Sequence, residues 1–223
     1  MLRTKYREAP GESQLLCGWV AGCVSFVAMD SPAIVPRLKA LLGSRVRSIE
    51  PVGDLTRAAV LVPILRSGAD LHLLLTRRTE EVETHKGQVS FPGGVVDGTD
   101  ADIVQTALRE TEEELGVDRS SVDVLGLLDD LTTPTGFVIT PVVGFLSAAV
   151  LLHPNPAEVA EAFTVPLQFL SDMRNAAHEM RHFRGEEREV WSYAYGSHTI
   201  WGATAWIIRS LLPALAEAQH ARA

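Results

Sequence analysis

The chain has 223 residues, of which 46% are hydrophobic, and its 20 Lys and Arg against 28 Asp and Glu give a formal net charge of −8. That length and apolar content suffice for one compact core, so we expect a single domain over residues 31–223. An acidic chain without a basic stripe does not attract a phosphate backbone, which excludes nucleic acid as the main partner. A small polyanionic molecule can still bind where a metal ion and a few cations meet its charge.

Residues 1–30 are interpreted as an N-terminal extension without an assigned role. Its apolar run, residues 15–29, is shorter than the roughly 20 residues that a membrane-spanning helix needs, so no membrane association is expected. Acidic residues dilute its basic part and no cleavage site follows, which is atypical of a secretion signal. Cys17 and Cys23 have the spacing of neither a redox pair nor a metal site, and a cytoplasmic location is therefore predicted.

A helix is predicted after the extension, from Ser31 to a stop at Gly43, because Ser-Pro precedes apolar residues at helical spacing. Two short β-favouring runs follow, residues 58–65 and 71–75, and the Ser-Gly turn between them predicts a pair of strands. We expect the helix to contribute to the core without a catalytic role, and the strands to lead toward the segment 87–117.

Three cations follow these strands and are candidate ligands for a phosphorylated substrate. Arg77 and Arg78 come at the end of the second strand, and Lys86 stands beside the next glycine turn. A guanidinium group can bind phosphate oxygens through two parallel hydrogen bonds. The alternative is that these side chains are surface charges facing the neighbouring glutamates.

The segment 87–117 combines a glycine-rich turn with a long amphipathic pattern. Gly93 and Gly94 form the turn, and the apolar residues that follow repeat at helical spacing. We predict a helix over residues 101–115, with Asp100 as its N-cap and one apolar stripe facing a core.

The second half of that helix carries a cluster of carboxylates. Glu110, Glu113 and Glu114 occupy positions i, i+3 and i+4, which places them on one side. Like charges at this spacing weaken an isolated helix by roughly 0.2–0.5 kcal/mol per pair, so a compensating cation is expected. Oxygen ligands without a nearby His or Cys favour Mg²⁺ or Mn²⁺, and Gly94 lets the backbone approach such an ion and offer a carbonyl. The alternative is a solvated helix face.

Further strands and helices are predicted in the second half of the chain. Residues 122–128 and 137–146 favour strands, and the loop between them is expected to form a wall of the substrate site. A helix is expected to start at Pro166, and another over residues 200–218, where Pro213 introduces a kink or a second start. His198 is a candidate wall residue near a nucleotide base.

A competing metal motif occurs at His178-Glu179-Met180-Arg181-His182, which matches HExxH. A zinc peptidase needs both histidines on one face of a helix. The following Arg-Gly-Glu-Glu favours a hairpin turn instead, which makes a zinc peptidase built on His178 and His182 the remote alternative.

The central segment resembles the signature of the Nudix hydrolases. Arg109-Glu110, Glu113-Glu114 and Gly116-Val117 match the second half of that signature, whereas the first half holds Asp100 and one extra residue. An insertion at the same place is typical of the coenzyme A pyrophosphatase-like branch. The chain resembles this branch also in Leu-Leu-Thr-x-Arg at residues 74–78 and Phe-Pro-Gly-Gly at residues 91–94. The resemblance covers roughly residues 30–212.

The resemblance implies an α+β Nudix fold, in which a mixed β-sheet is sandwiched between α-helices. The implied reaction is Mg²⁺- or Mn²⁺-dependent hydrolysis of a nucleoside-diphosphate-linked small molecule, with coenzyme A or a derivative giving 3′,5′-ADP and 4′-phosphopantetheine. A homodimer is compatible with these expectations.

The resemblance also implies roles for individual residues. Glu110 and Glu114, one helical turn apart, would ligate the metal with the Gly94 carbonyl, and Glu113 would hold a further ion or its water. Arg109 would orient Glu110 through a salt bridge. A carboxylate outside the signature, Glu158, is the candidate general base.

One position departs from the branch in a way that affects the substrate. Glu83 stands where the branch has an arginine, and a carboxylate repels a phosphate that an arginine would attract. A Nudix pyrophosphatase for another nucleoside diphosphate derivative is therefore an alternative, and a catalytically weak nucleotide-binding regulator is a second. The presence of all three glutamates argues against the regulator.

Overall fold

The computed structural model describes residues 33–80, 87–146, 150–183 and 185–220. The N-terminal extension, Glu83 and Lys86 lie outside these ranges, so the predictions about them are not addressed by the structure. Among the helices within these ranges, none combines the length and apolar character needed to cross a membrane.

The first sheet has eight strands, and its centre is parallel while its flanks are antiparallel. The order is β3-β2-β1-β7-β5, with β4 paired to β1, β6 to β7 and β8 to β2. Only β1 and β7 run parallel in the described pairings. The sheet is therefore mixed, as expected. In chain order its strands are β1 (Thr56–Ser67), β2 (Asp70–Arg78), β3 (Val89–Ser90), β4 (Gly93–Val95), β5 (Val122–Leu127), β6 (Leu131–Thr132), β7 (Phe137–Leu146) and β8 (Val159–Pro166).

Helices cover both faces of this sheet. Successive residues of its central strands point to opposite sides, and both sides carry apolar side chains that a helix buries. Leu74 belongs to the cluster that packs under the helix α2, whereas Leu73 and Leu75 belong to the cluster under α1 and α4. The predicted sandwich of a mixed sheet between helices is confirmed. The α-helices are α1 (Ile34–Ser44), α2 (Ile103–Leu115), α3 (Leu167–Ser171) and α4 (Gly202–His220).

A second sheet of three antiparallel strands lies between α3 and α4 in the chain. It comprises β9 (Ala176–Phe183), β10 (Glu186–Tyr195) and β11 (His198–Trp201), in the order β11-β10-β9. The last helix begins at Gly202 rather than at residue 200, because Ile200 and Trp201 pair with β10. It continues through Pro213 to His220, so of the two alternatives at this proline, a kink or a second helix start, the second start is excluded.

The second sheet also corrects the remote zinc alternative. His178 and His182 lie in β9, where residues four apart are separated by roughly 13 Å. Two imidazoles at that distance cannot share one zinc ion, since each must approach to about 2 Å. The zinc peptidase is thereby excluded, and the predicted hairpin is confirmed.

A buried aspartate ties the segment after α1 to the sheet. Asp130 accepts hydrogen bonds from the guanidinium groups of Arg47 and Arg57, at 2.7 and 3.1 Å, and from the Thr140 hydroxyl at 2.6 Å. Its side chain is fully buried. The first part of the loop that was expected to form a substrate wall therefore acts as a structural tie.

Candidate active site

The glycine turn brings strand β4 into close contact with both β1 and α2. A Cβ on Gly93 would lie 2.3 Å from the carbonyl oxygen of Ala59, and one on Gly94 would lie 2.4 Å from the carboxyl group of Glu110. Neither position can hold a side chain without moving the backbone or the glutamate. The two glycines therefore let the backbone pass directly beside a carboxylate of the helix.

Helix α2 has a defined start and end. Asp102, rather than Asp100, is the N-cap, and its carboxylate accepts the backbone N–H of Gln105 at 2.9 Å. Gly116 ends the helix in the left-handed conformation at φ 66°. Thr111 stands at a position that is usually apolar in the signature, and it is buried. Its hydroxyl donates to the carbonyl of Ala107 at 2.7 Å, which offsets the cost of burying a polar group.

Gly116 also lets a distant segment dock on the end of this helix. The N–H of His153 donates to the carbonyl of Leu115, and the N–H of Asn155 donates to that of Glu114, at 2.7 and 2.8 Å. A Cβ on Gly116 would lie 2.8 Å from the Cβ of His153. The docked segment carries Glu158 toward the helix, which sequence spacing alone does not predict.

Arg109 connects four groups of the site. Its Nε and Nη2 donate to the two oxygens of Asp100 at 2.9 and 3.0 Å, while Nη1 donates to Glu110 at 2.9 Å and to Glu113 at 3.3 Å. Nη2 also donates to the carbonyl of Val95. The expected salt bridge with Glu110 is therefore present.

The contact with Asp100 explains why that residue does not cap the helix. The Arg109 guanidinium, by hydrogen bonding, holds the pKa of the Asp100 carboxyl well below its usual range. Asp100 also accepts the hydroxyl of Thr106 at 2.8 Å. It is a site residue that we did not assign from the sequence, although an acid nine residues before the signature arginine was a visible signal.

Glu114 is the most deeply buried carboxylate of the cluster, with 3% of the residue exposed. Arg78 approaches one oxygen at 3.6 Å, and the other oxygen, Oε2, is buried without a hydrogen-bond partner in the described structure. Burial raises the pKa of Glu114 to about 8, the charges of Glu158 and Glu110 raise it further, and Arg78 and the backbone N–H of Gly93 oppose this shift. Without a bound cation, the folded protein thus favours a proton on Glu114 near neutral pH.

The other carboxylates surround Glu114 with more negative charge. Burial raises the pKa of Glu110, which Arg109 opposes, and Glu113 and Glu158 contribute repulsion. The side chain of Glu113 is 55% exposed and remains accessible to solvent. The Glu158 carboxylate accepts a hydrogen bond from the side-chain amide of Asn155 at 3.1 Å.

A divalent cation fits this set of groups. No group of three His, Cys, Asp or Glu side chains is already arranged around a common ion position within the described ranges. Glu114 nevertheless has a buried oxygen to which no described residue donates a hydrogen bond, and the charges of Glu110 and Glu158 disfavour its ionised form. A cation would remove both costs at once, and carboxylate and carbonyl oxygens suit a hard ion.

The two predicted arginine ligands lie in different surroundings. Arg78 is beside Glu114, and its Nε is buried without a hydrogen-bond partner in the described structure. Arg77 instead contacts Glu161 at 3.5 Å. Since consecutive strand residues point to opposite faces, the structure brings Arg78 to the carboxylates and does not bring Arg77 there.

His198 lies on the same side as Arg77. Its imidazole stacks on Phe163 with ring centres 3.9 Å apart, and its Nε2 is 3.5 Å from Glu161. The ring is therefore already packed against an aromatic side chain of the protein itself. The expectation that it lines a nucleotide base stays a prediction.

The comparisons with known proteins agree with this architecture. The family model of the NUDIX domain matches residues 55–186. A protein of Photorhabdus laumondii named uncharacterized Nudix hydrolase NudL is 46% identical over 154 residues, which are 69% of this chain and 82% of that protein. A namesake from Pectobacterium atrosepticum is 42% identical over 164 residues, which are 74% of this chain and 85% of that protein.

A solved structure shares the fold. It is that of a MutT/nudix family protein from Enterococcus faecalis, with a TM-score of 0.50 and 16% identity over 80% of this chain and 68% of that one. With a mixed sheet between helices and a carboxylate-bearing helix under a glycine turn, the chain belongs to the Nudix family. It is a hydrolase of the pyrophosphohydrolase type, and Nudix hydrolases generally use divalent metal ions.

Proposed function

We propose that this protein hydrolyses the diphosphate linkage of coenzyme A or a derivative, in the presence of Mg²⁺ or Mn²⁺, to give 3′,5′-ADP and 4′-phosphopantetheine. The observation that carries the reaction is the buried Glu114, which lies near the charges of Glu110 and Glu158 and has one oxygen with no hydrogen-bond partner among the described residues. The similarity of residues 74–78 and 91–94 to the coenzyme A pyrophosphatase-like branch supports the substrate.

In this proposal Glu110, Glu114 and the carbonyl oxygen of Gly94 would hold the metal, and Glu113 would bind a further ion or its water. A divalent ion in such a site neutralises phosphate oxygens and lowers the pKa of the attacking water. The exposed Glu113 would bind an ion from the solvent side at little cost in desolvation, and Glu114 would release its proton to solvent in order to act as a ligand.

Arg109 acts as a positioning residue in this site. Asp100 holds two of its nitrogens, which leaves Nη1 directed at Glu110 and Glu113. A guanidinium fixed in this way holds both carboxylates at defined positions before the ion arrives, and so reduces the entropy lost on binding.

Glu158 is the proposed general base. It lies close enough to Glu110 and Glu114 for their charges to interact, and Asn155 orients its carboxylate. A carboxylate at this place would accept the proton of the attacking water, since no described arginine pairs with it.

Arg78 is the proposed phosphate ligand on the protein side. Its guanidinium lies 3.6 Å from a carboxyl oxygen of Glu114, and a cation bound by Glu114 would repel that guanidinium toward a substrate oxygen. Lys86 and Arg77 remain candidate substrate ligands, and Arg77 would need to leave Glu161 to reach the phosphates.

The substrate is tested with a panel of coenzyme A, acyl derivatives, dinucleotides and nucleotide sugars, each with Mg²⁺ or Mn²⁺, with products resolved by mass. We expect 3′,5′-ADP and 4′-phosphopantetheine from coenzyme A. Cleavage of nucleotide sugars or dinucleotides with coenzyme A left intact would reject this substrate and retain the reaction.

The second candidate substrate is another nucleoside diphosphate derivative, and Glu83 is the feature that favours it. Glu83→Arg should raise coenzyme A cleavage if this carboxylate repels the 3′-phosphate, while cleavage of a substrate without that phosphate should not change. Unchanged coenzyme A cleavage would remove the charge at residue 83 as an argument for the alternative. A nucleotide-binding regulator would bind members of the panel without turning any of them over.

A further inference from the structure

The hairpin of β9 and β10 extends beyond the core, and no strand of the described residues pairs with the outer edge of β9. In the described sheet β9 is the outer strand, since β10 lies between it and β11. The residues of β9 from 177 to 182 are all exposed, and Met180 is 55% exposed. Since β11 pairs only with residues 192–195 of β10, the rest of the hairpin is a two-stranded ribbon, which is marginally stable by itself in water. An open edge also presents unpaired backbone groups to another strand.

The sequence of this edge is complementary to itself when reversed. Around Met180 it reads His178, Glu179, Met180, Arg181 and His182, so a histidine flanks each end and opposite charges flank the centre. If two copies pair antiparallel with Met180 opposite Met180, each Glu179 lies opposite Arg181 of the second copy. Opposite charges placed directly across two strands stabilise their pairing, whereas like charges destabilise it.

The side chains on this strand are available for such contacts. Glu179 and Arg181 are 55% and 56% exposed, and within one chain Arg181 Nε donates to Glu179 at 2.6 Å. On the other side of β9, Arg181 lies opposite Arg188 of β10, a like-charged neighbour. A second copy would give each Arg181 another carboxylate and each Glu179 another guanidinium.

We propose that β9 is a homodimer interface, in which two copies pair their β9 strands antiparallel around Met180 and form one continuous six-stranded sheet. Natural proteins protect an open strand edge with charged side chains, prolines or bulges, and like charges placed opposite each other repel an approaching copy. Here the two signs are arranged so that an inverted copy matches them. The two exposed Met180 side chains would lie side by side at the symmetry axis, on one face of the joined sheet.

The interface is tested by charge reversal in the full-length protein, followed by light scattering or sedimentation over concentrations from about 1 to about 200 µM. Glu179→Arg places Arg opposite Arg at both symmetry-related positions, and Arg181→Glu places Glu opposite Glu. Each variant should weaken dimerisation at least about tenfold. Glu217→Arg makes the same charge change as Glu179→Arg on an exposed turn of α4 and should leave the dimer unchanged.

Two combinations separate specific pairing from damage to the hairpin. The double variant Glu179→Arg/Arg181→Glu restores opposite charges and should dimerise like the wild type. A mixture of the two single variants should form a heterodimer, since one supplies two arginines and the other two glutamates. Circular dichroism and melting temperature verify that each variant is folded.

The proposal is overturned if the wild-type protein stays monomeric over the whole concentration range. It is also overturned if β9 pairs with another segment of the same chain. A dimer that is insensitive to both single reversals also overturns it, because the interface would then lie elsewhere. Loss of dimerisation in the single variants with recovery in both combinations is the expected result.

Discussion

The two faces of the first sheet use the same strands but carry different chemistry. On the face of α1 and α4, the buried cluster is formed by apolar side chains such as Leu73 and Ile208. On the face of α2, an apolar cluster is present as well, but its rim holds Glu114, a buried carboxyl group with one oxygen that no described residue hydrogen-bonds. The first arrangement contributes stability directly, while the second retains a group that costs stability until a cation binds.

Neighbouring residues of β2 show the same division. Arg78 meets Glu114 under α2, and Arg77 meets Glu161, which also contacts His198. One residue of shift in a strand thus moves a guanidinium from the active-site face to the structural face. The following tests break or sharpen this contrast.

The largest effect is expected at Glu114. Glu114→Gln removes a proposed metal ligand. It should raise the activation free energy by several kcal/mol and so lower turnover on the order of 10³-fold or more. In metal-free buffer the same variant should melt at or above the wild-type temperature, because a neutral amide replaces a poorly compensated carboxyl. Turnover by steady-state kinetics and melting by differential scanning fluorimetry check this, and retained turnover would place the metal elsewhere.

A matched substitution on the other face should have the opposite profile. Leu73→Ala removes a fully buried side chain and should lower the free energy of unfolding by about 2–5 kcal/mol. Denaturant unfolding gives that quantity, and kcat of the folded fraction should stay close to the wild-type value. A large loss of kcat in fully folded protein would contradict the separation of the two faces.

Arg109→Lys tests the positioning role on the active-site face. Lysine retains the charge but cannot hold Asp100 with two nitrogens while it contacts Glu110, so metal affinity should fall roughly 10–100-fold. Isothermal titration with Mn²⁺ measures that affinity without turnover. An unchanged affinity, with a normal melting temperature, would show that Glu110 is positioned without this fork.

The pair Arg78→Gln and Arg77→Gln compares the two faces within one strand. We expect Arg78→Gln to raise KM for the diphosphate substrate about tenfold through loss of a charge-assisted phosphate contact, and Arg77→Gln to change it less than about twofold. Equal effects in the two variants would mean that Arg77 leaves Glu161 and also reaches the substrate.

The last test concerns the pH dependence of stability without metal. Because the folded pKa of Glu114 is raised from 4.5 to about 8, the folded protein holds a proton that the unfolded chain releases. The stability from this proton is complete below pH 4.5 and is lost as pH rises toward 8. The melting temperature in chelator should therefore decline over that range, and the decline should be smaller in Glu114→Gln than in the wild type.

Local patterns were sufficient for the elements that depend on neighbours in the chain. The paired strands around residues 67 and 68, the carboxylate helix and the β9–β10 hairpin follow from periodicity and turn residues, and the structure has all three. The errors occurred at element ends. Asp102 replaced Asp100 as the cap because Arg109, nine residues away, holds Asp100, and residues 200 and 201 joined a strand because β10 offered a partner.

The sequence by itself determined the family, the reaction class and the clustering of three glutamates, because each depends on residues separated by at most a few helical turns. Only the tertiary structure decided which charges meet across the fold: Arg78 with Glu114, Arg77 with Glu161, and Glu158 beside the helix. Those contacts join residues more than 30 positions apart, and their geometry is set by sheet register and by glycines that admit close approach rather than by any local propensity.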